Sequence, residues 1–449
     1  MIRTIKIKKG LDIPLMGAAS GVVKETRVEG IYSIEPQDFY GFKPKPVVKE
    51  GDCVAAGDPL FVNKEIESLK VVSPVSGKVV AVERGERRKL LSIKVEADNV
   101  QRYKEFGTCD VTQMNCDEVK ALLLESGLFA FVHQRPFDIV ANPGDSPRAI
   151  FVSAFNTMPL AQDFLIAYKG NEHYFQLGIN ALGRIAPVTL CLNEEERDTE
   201  LSKTENAELY VIDGPNPSGN VGVQINHISP INKGEIVWTI GAEELIFIGK
   251  LLETGKVDLT RTIALAGSEV KEPSYFKAVI GMSLNTLLEG RLCRSQHIRI
   301  INGNPLVGRV AGLSHYLSAR ATEVTVIPEG DDNDEVLGWI MPRLNDFSKN
   351  RSYFSWLQGR KKYNLDARIK GGERHIIMSG EYDRVLPMDI YAGYLIKAIL
   401  TADLDRMEML GIYEVAPEDF AVAEFVDSSK LELQRIVREG LDLLRKELE

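Results

Sequence analysis

The residues of this chain that could hold a metal or an iron–sulfur cluster are too dispersed for that chemistry. The five cysteines are far apart, and no two form a Cys-x-x-Cys pair: Cys53, Cys109, Cys116, Cys191 and Cys293. Zinc and iron–sulfur sites take several closely spaced thiolates, and the six histidines are equally scattered. We therefore expect no metal site. An odd, dispersed set of thiols is typical of a reducing compartment.

Two loops contain many turn residues and could in principle bind phosphate, namely residues 142–147 and 213–222. Neither contains Gly-x-Gly-x-x-Gly or the Gly-Lys-Ser/Thr ending of a phosphate-binding loop. Their prolines also remove amide donors that such a loop needs. We interpret both as rigid loops at the edge of a sheet, with a docking surface or a small-molecule site as the alternative. Nothing in the sequence favours a bound nucleotide.

A third candidate chemistry is that of a lysine-linked cofactor. Residues 50–60 and 71–79 are short β runs separated by Gly-Asp and Ser-Pro-x-x-Gly turns, a pattern that resembles a biotinyl/lipoyl-like hammerhead. In a lipoyl arm the lysine lies about eight residues before the proline, here Pro74, and that place is taken by Ile66. Lys64 and Lys70 lie on either side of it. We interpret the segment as a docking element that carries no cofactor.

Composition excludes several classes of protein. The formal charge of −10 and the pI near 5.4 disfavour a nucleic-acid partner, since phosphate binding needs a basic face. No apolar run approaches the roughly 18–20 residues of a membrane helix, and the first residues alternate like a strand without a signal-peptide pattern. The length of 449 residues and the apolar share of 44% predict a soluble protein of several domains.

The elements that would position these residues change type along the chain, and they predict a multidomain α/β fold. Residues 1–100 read as a β domain with the biotinyl/lipoyl-like hammerhead. Residues 101–255 alternate helix and strand, which predicts a Rossmann-like α/β domain. In residues 256–330 a strand, a short helix and another strand follow one another, which predicts a β-grasp, SLBB-like domain. Residues 331–449 predict a C-terminal helical domain.

Some individual elements are predicted more closely. Helices are expected at 117–126, 157–169 and 243–253, and Ser429 with Glu432 has the spacing of a capping box before an amphipathic helix. The acidic run 329–335 is interpreted as a solvated linker.

One segment, residues 343–363, interleaves basic and aromatic side chains within an otherwise acidic protein. Trp, Tyr and Arg are enriched at protein interfaces and at membrane surfaces. The segment therefore supplies candidates for contact with a partner or a membrane. The alternative is a helix with core aromatics and solvated bases. The candidate docking residues are Tyr353, Phe354, Trp356, Arg360, Lys361 and Lys362.

Taken in order, these segments resemble the NqrA family, the A subunits of sodium-translocating NADH:quinone oxidoreductases. The resemblance covers nearly the whole chain and rests on six stretches: Lys9-Gly10-Leu11-Asp12-Ile13-Pro14-Leu15-Met16-Gly17, Ser73-Pro74-Val75-Ser76-Gly77-Lys78-Val79 with Arg84-Gly85, Gly214-Pro215-Asn216-Pro217-Ser218-Gly219, Arg261-Thr262-Ile263-Ala264-Leu265-Ala266-Gly267, Gly371-Gly372-Glu373-Arg374, and Gly380-Glu381-Tyr382-Asp383-Arg384-Val385-Leu386-Pro387-Met388-Asp389-Ile390.

The resemblance implies a cytoplasmic subunit with no cofactor of its own, peripheral to the membrane in a six-subunit complex whose other subunits are B to F. That complex passes electrons from NADH through flavins and Fe-S centres to a quinone, ubiquinone or menaquinone, and exports sodium. The isolated chain is then expected not to be catalytic. Quinone is a candidate ligand, but no residue pattern identifies its pocket. Where the family often has Phe-Val-Cys, this chain has Asp427 in place of the cysteine, so no role of that thiol is carried over.

Three other interpretations remain at this stage. An RnfC-like electron-transfer protein predicts bound iron, and a lipoyl or biotin carrier predicts a modified lysine near residue 66. A free-standing β-grasp ligand-binding protein predicts a chain with no membrane partner.

Overall fold

The computed structural model describes residues 2–332, 344–349, 354–359, 361–377 and 380–448. Within these ranges the chain forms twenty strands: β1 Arg3–Lys6, β2 Ser20–Glu25, β3 Ile31–Ile34, β4 Pro44–Pro46, β5 Cys53–Val54, β6 Pro59–Asn63, β7 Lys70–Val72, β8 Gly77–Arg84, β9 Leu90–Ala97, β10 His133–Arg135, β11 Ile139–Val140, β12 Ile150–Ser153, β13 Val188–Leu192, β14 Glu208–Asp213, β15 Val237–Thr239, β16 Thr260–Ala266, β17 Ser274–Val279, β18 Ile298–Asn302, β19 Arg309–Ala311 and β20 Glu323–Pro328.

The same ranges contain eleven α-helices: α1 Cys116–Glu125, α2 Phe164–Tyr168, α3 Glu172–Gly183, α4 Val221–Ile228, α5 Ala242–Thr254, α6 Leu284–Leu288, α7 Tyr382–Val385, α8 Ala392–Leu400, α9 Leu404–Met409, α10 Ala421–Val426 and α11 Leu433–Leu448.

The central layer is a seven-stranded sheet in the order β1-β14-β13-β12-β15-β10-β11. Five neighbouring strands, β1, β14, β13, β12 and β15, are parallel. Strands β10 and β11 add an antiparallel edge beside β15. Among the four strands β12 to β15, β12 comes first in the chain. Strands β13 and β14 follow on one side of it, and β15 lies on its other side. The direction of winding therefore reverses between β12 and β15, where open α/β sheets place their ligands, just beyond the carboxyl ends of the strands.

Alternate side chains of these strands enter two hydrophobic cores, as the two-residue period of a strand requires. Leu190 and Val211 face the core that contains α3 and α5. Cys191 and Ile212 face the core formed with the C-terminal helices. The sheet is thus covered on both faces, which suits its continuous apolar strands.

Helices α3 and α5 approach each other closely because of two glycines. A Cβ on Gly249 would lie 1.9 Å from the Tyr174 carbonyl oxygen, and one on Gly178 would lie 2.3 Å from that of Leu245. Only hydrogen fits at both positions.

The N-terminal β region consists of two antiparallel sheets, β3-β9-β8-β5 and β4-β6-β7. Aromatic rings join it to the central layer: the Phe39 ring lies 5.6 Å from that of Phe131, which lies 6.2 Å from that of Phe247.

A six-stranded mixed sheet follows, in the order β19-β18-β20-β16-β17-β2. Its strands β16 and β20 are parallel neighbours, and α6 lies between β17 and β18 in the chain. Strands from the first 25 residues complete two distant sheets, since β1 pairs with β14 and β2 pairs with β17. The pairing of β1 and β2 thus crosses the limits predicted at residues 100 and 255, and those limits stay a prediction.

The coarse prediction of fold class is confirmed: an N-terminal β region and an α/β domain are followed by a mixed sheet and a helical C-terminal region. Two finer predictions are wrong. The helix predicted at 157–169 is limited to Phe164–Tyr168, because Leu160 has a left-handed backbone and Asp163 caps the helix. Ser429 does not cap α11, which begins at Leu433; its hydroxyl donates to the His375 carbonyl at 3.1 Å.

Candidate functional site

A cavity of about 580 Å³ lies at the carboxyl ends of β12 and β15, where the winding of the central sheet reverses. Its walls come from four regions of the described chain. Asp38 belongs to the N-terminal β region, Ser153 and Thr239 end the two central strands, Asn304 comes from the mixed sheet and Glu418 from the C-terminal helices. The size is that of a pocket for a small organic ligand.

Charged side chains dominate the wall of this cavity. Six carboxylates line it: Asp38, Asp138, Glu243, Glu244, Glu323 and Glu418. Five arginines accompany them: Arg135, Arg261, Arg309, Arg320 and Arg438. With His133 uncharged, the wall is close to neutral with a slight acidic surplus, so most of these charges neutralise one another within the protein.

Arg135, at the end of β10, is one of two fully buried arginines in the wall, with its side chain 2% exposed. Its Nη2 donates to Glu418 Oε1 at 2.9 Å, and its Nη1 approaches Asp419 Oδ2 at 3.4 Å. Asp138 Oδ1 lies 3.8 Å from Nε. Burying a guanidinium costs several kcal/mol unless it is paired. Glu418 and Asp419 belong to the C-terminal helical region, so their pairing with Arg135 joins that region to the central sheet.

Arg261, on β16, is the second buried arginine and pairs with the beginning of α5. Its Nη2 donates to Glu244 Oε1 at 2.6 Å, and Nη1 lies 3.7 Å from Glu243 Oε2. The Thr262 amide donates to Glu243 Oε1 at 2.6 Å. This cluster fastens the mixed sheet to the central layer.

The burial of these groups shifts their protonation. Burial raises the pKa of Glu243 from the ordinary 4.5 to about 7, although Arg261 opposes the rise. Burial also tends to raise the pKa of Glu244, but the charge and the hydrogen bond of Arg261 hold it below its usual value. Burial and the nearby Arg320 lower the pKa of His133 to about 4. At neutral pH, therefore, His133 is neutral and Glu243 exists in both forms.

The structure describes four of the six predicted docking residues. Phe354 and Trp356 are 41% and 50% exposed, and Lys362 is also exposed. The Lys361 ammonium donates to the Leu344 carbonyl and to Asn345 Oδ1, at 2.9 and 2.8 Å. The two remaining candidates, Tyr353 and Arg360, lie outside the described residues. None of the four described candidates lines the cavity, and the docking role of all six stays a prediction.

The loop that would carry a cofactor-bearing lysine holds Ile66, between β6 and β7. Lys70 is engaged elsewhere, since its ammonium pairs with Glu125 at 2.6 Å and its side chain is only 17% exposed.

Three of the stretches that suggested the family contact one another. The Leu11 amide donates to the Asn216 carbonyl at 2.8 Å, and the Asn216 amide donates to Asp12 Oδ1 at 2.9 Å. The Gly267 amide donates to the Gly17 carbonyl, also at 2.8 Å. This placement favours a structural role for the first half of the loop 213–222, whereas Gly219, Asn220 and Val221 line the cavity, so the alternative of a small-molecule site stays open there.

Sequence reasoning missed the cavity, because its charged residues come from four separate segments and no local spacing relates them. In the acidic run, Asp331 and Asp332 are exposed, as the prediction of a solvated segment requires, but the run also forms ion pairs. Asp331 pairs with His297 at 2.9 Å, Asp332 with Arg294 at 3.3 Å, and Glu329 with Arg299. At least these three acids hold the end of β20 against the start of β18; residues 333–335 lie outside the described ranges.

Among the described residues, no helix combines the length and apolar character needed to cross a bilayer. Nor does any group of three or more His, Cys, Asp or Glu side chains in those ranges have an arrangement that could hold a metal ion.

Comparison with family models matches three successive parts of the chain. Residues 5–98 match the NqrA N-terminal barrel-sandwich hybrid domain, and residues 114–257 match the NqrA second alpha/beta domain. Residues 262–312 match a model described as the NQRA C-terminal domain.

Curated relatives match along their whole length. Proteins named as the A subunit of the Na(+)-translocating NADH-quinone reductase are 35% identical in Haemophilus influenzae (strain PittEE), 33% in Alcanivorax borkumensis and 34% in Yersinia pestis bv. Antiqua (strain Angola). Each alignment covers 99% of this chain and 100% of the relative. Among solved structures, an NAD+-reducing [NiFe]-hydrogenase in the H2-reduced state aligns over 41% of each chain, with 15% identity and a TM-score of 0.32. That likeness is too weak to carry an argument.

Proposed function

The chain belongs to the NqrA family, the A subunits of Na+-translocating NADH-quinone reductases, and on this premise we propose that it serves its complex without a redox group of its own. The full-length match to these relatives carries the assignment to an oxidoreductase complex with other subunits as partners. A free-standing ligand-binding protein is not favoured. The finer parts of the proposal are a hammerhead used for docking, a Rossmann-like layer, a β-grasp SLBB-like module, and a peripheral position at the cytoplasmic face beside five further subunits.

The chemistry of the chain's own residues supports a subunit that carries no cofactor. A lipoyl or biotin carrier needs a lysine at an exposed tip, whereas Ile66 holds that place and Lys70 is bound to Glu125. An electron carrier of the RnfC kind needs grouped thiolates, whereas Cys191 is buried in the sheet and the other four cysteines are scattered along the chain. Flavin and Fe-S groups are therefore assigned to the rest of the complex.

The test of this part is the composition of the purified chain. We expect no visible absorption, no stoichiometric flavin or iron, and an intact mass equal to that of the unmodified sequence. A coloured preparation with one flavin or cluster per chain, or a mass increase that maps to Lys64 or Lys70, would contradict it.

Quinone is the ligand proposed for the cavity. Its two carbonyl oxygens accept hydrogen bonds, and arginine and asparagine donors line the wall. Reduction of a quinone to a quinol consumes two electrons, which the other subunits supply, and two protons. Glu243, with a pKa of about 7, is suited to exchange a proton near neutral pH.

A photoreactive quinone analogue tests this placement. We expect its cross-links in the assembled complex to map to peptides that line the cavity, and competition by excess ubiquinone to remove them. Labelling confined to other peptides would refute the placement without affecting the assignment of the chain to its family.

The docking role of the segment 343–363 is tested by variants in its described, exposed positions. Trp356→Ala with Lys362→Glu removes an aromatic surface and reverses a charge, so we expect weaker copurification with the membrane subunits. Lys361 is a poorer choice because its ammonium bonds within the segment. Lys169→Glu, at an exposed position after α2 that belongs to neither proposed docking element, is the control. Copurification equal to that of the control would count against the segment.

A further inference from the structure

The beginning of helix α4 is a place where an anion would be expected. The helix follows β14 and borders the cavity through Asn220 and Val221. The amides of a helix's first turn have no partners within the helix, and the helix dipole adds partial positive charge there. Sheets that wind in this order place ligand phosphates at such an end. The N-cap residue Asn220 does not satisfy these amides with its side chain.

A carboxylate from a distant part of the chain, that of Asp419, lies beside this position, and its hydrogen bonds come from Arg135, Asn220 Nδ2 and the Ala416 amide rather than from the first-turn amides. A Cβ on Gly222, the second residue of α4, would lie 2.4 Å from Asp419 Oδ2 and 2.9 Å from Oδ1. The carboxylate therefore rests directly against the first turn, in space that only a glycine leaves open. The Asp419 side chain is 0% exposed.

Neighbouring groups hold Asp419 in this orientation. The Ala416 amide donates to Oδ2 at 2.9 Å, and Asn220 Nδ2 donates to Oδ1 at 3.3 Å. Arg135 supplies positive charge 3.4 Å from Oδ2, and its Nε, buried beside the cavity, has no hydrogen-bond partner. The arrangement has the components of an anion site: a helix end, an amide and a guanidinium. The acidic group is a side chain of the protein; burial raises the pKa of the Asp419 carboxyl above its ordinary value, while Arg135, the Ala416 amide and Asn220 oppose that rise.

We propose that Asp419 is an internal replacement for a ligand phosphate, which fastens the C-terminal helices over the cavity and excludes phosphate-bearing ligands from it. Asp419 is thereby a positioning residue for the C-terminal region, and it determines which ligands the cavity admits. The proposal is independent of whether quinone binds in the cavity.

The first measurement is hydrogen exchange of the full chain with Asp419→Asn, which keeps the shape and removes the charge, and with Asp419→Ala. We expect amides of α8 and α11 to exchange about tenfold faster or more in both variants, while those of α3 and α5 keep their rates. Asp403→Asn, which changes an aspartate that caps α9 within the same region, is the control, with effects confined to α9.

The second measurement is rescue by added anions. Asp419→Ala vacates the position beside Arg135, so inorganic phosphate or acetate at millimolar concentration should restore the slow exchange of α11, and chloride should not. The wild-type chain and Asp403→Asn should not respond to phosphate. If Asp419→Ala cannot be purified, the exchange of Asp419→Asn alone decides. Exchange in α11 within twofold of wild type, or a fast exchange that phosphate and acetate leave unchanged, would overturn the proposal.

Discussion

The N-termini of helices α4 and α5 both border the cavity, and each meets a carboxylate and a buried arginine. At α5 the carboxylate is Glu244, only three residues beyond Gly241, and its Oε2 would lie 2.1 Å from a Cβ on that glycine. At α4 the carboxylate is Asp419, 199 residues beyond Asn220. The arginines differ in the same way: Arg261 comes from the next strand along the chain, whereas Arg135 comes from an earlier one.

The pairing of a helix end with a carboxylate and an arginine therefore has a different role at each of the two helices. A carboxylate from the helix's own first turn stabilises that helix and leaves its arginine partner to hold the neighbouring sheet. A carboxylate from a distant segment stabilises the helix only when that segment is docked. We therefore expect damage at α5 to destabilise the whole molecule, and damage at α4 to release mainly the C-terminal helices.

The largest effect is expected at the α5 end. Arg261→Met leaves Glu243 and Glu244 buried without their cation, which should lower the free energy of unfolding by about 3–5 kcal/mol. The shift of the urea unfolding midpoint measures it. Arg435→Met, which removes an exposed arginine from α11, is the control and should cost less than about 1 kcal/mol. Equal shifts of the unfolding midpoint for the two variants would show that the cluster of Arg261, Glu243 and Glu244 does not stabilise the whole molecule.

At the α4 end, Arg135→Met should lower the free energy of unfolding of the C-terminal region by about 2–4 kcal/mol. The loss is smaller because Glu418 is 39% exposed and can turn toward water, while Asp419 cannot. Hydrogen exchange should show the change in α8 and α11 but not in α3. Uniform acceleration throughout the molecule would mean that the two helix ends do not differ as described.

The pH dependence of stability gives a further distinction, through Glu243. Its pKa is raised from 4.5 to about 7 on folding, so the folded chain binds the proton more tightly. The resulting stability is present below pH 4.5 and is lost as the pH rises toward 7. Glu243→Gln cannot lose a proton. Between pH 5 and 8 we expect its stability relative to wild type to increase by about 2–3 kcal/mol. A difference that stays constant over this range would show that Glu243 keeps an ordinary pKa.

The smallest effect is expected at an ordinary helix end on the surface. Helix α1 has a reciprocal capping box, in which the Glu118 amide donates to Asn115 Oδ1 at 3.0 Å and the Asn115 amide donates to Glu118 Oε2 at 2.8 Å. Asn115→Ala should cost about 1 kcal/mol of unfolding free energy. This value sets the scale for a cap without a buried arginine. A cost as large as that of Arg261→Met would show that burial is not what distinguishes the ends at the cavity.

Local chemistry made several elements predictable from the sequence. Helix α5 was expected at 243–253 and spans Ala242–Thr254, since a segment rich in helix-forming apolar residues stops before Gly255, which has a left-handed backbone. The amphipathic helix predicted after Glu432 was correct for most of its apolar face, since Leu433, Val437, Gly440, Leu441 and Leu444 are buried, but Leu448, expected on the same face, is 53% exposed at the end of the helix. Each of these features is decided by residues within a few positions of one another.

Features that depend on distant contacts were not predictable. The first residues read correctly as a strand, but nothing in their pattern indicated that Arg3 would pair with Tyr210. Ser429 has the right spacing for a cap, yet the His375 carbonyl takes its hydroxyl. The cavity depends entirely on such contacts, since Arg135, Arg261, Glu323 and Glu418 meet only after four segments have assembled.

The pairing of β1 with β14 has a consequence for biosynthesis. Strand β1 leaves the ribosome long before its partner, because the edge it needs is formed by residues 208–213. During translation it remains an unpaired strand while some two hundred further residues are made, and contacts of such long sequence separation form slowly. Its alternation of lysine and arginine with isoleucine is the kind of sequence that keeps a waiting strand from aggregating. Deletion of β1 would therefore lower the yield of folded protein more than an equal deletion in an exposed loop.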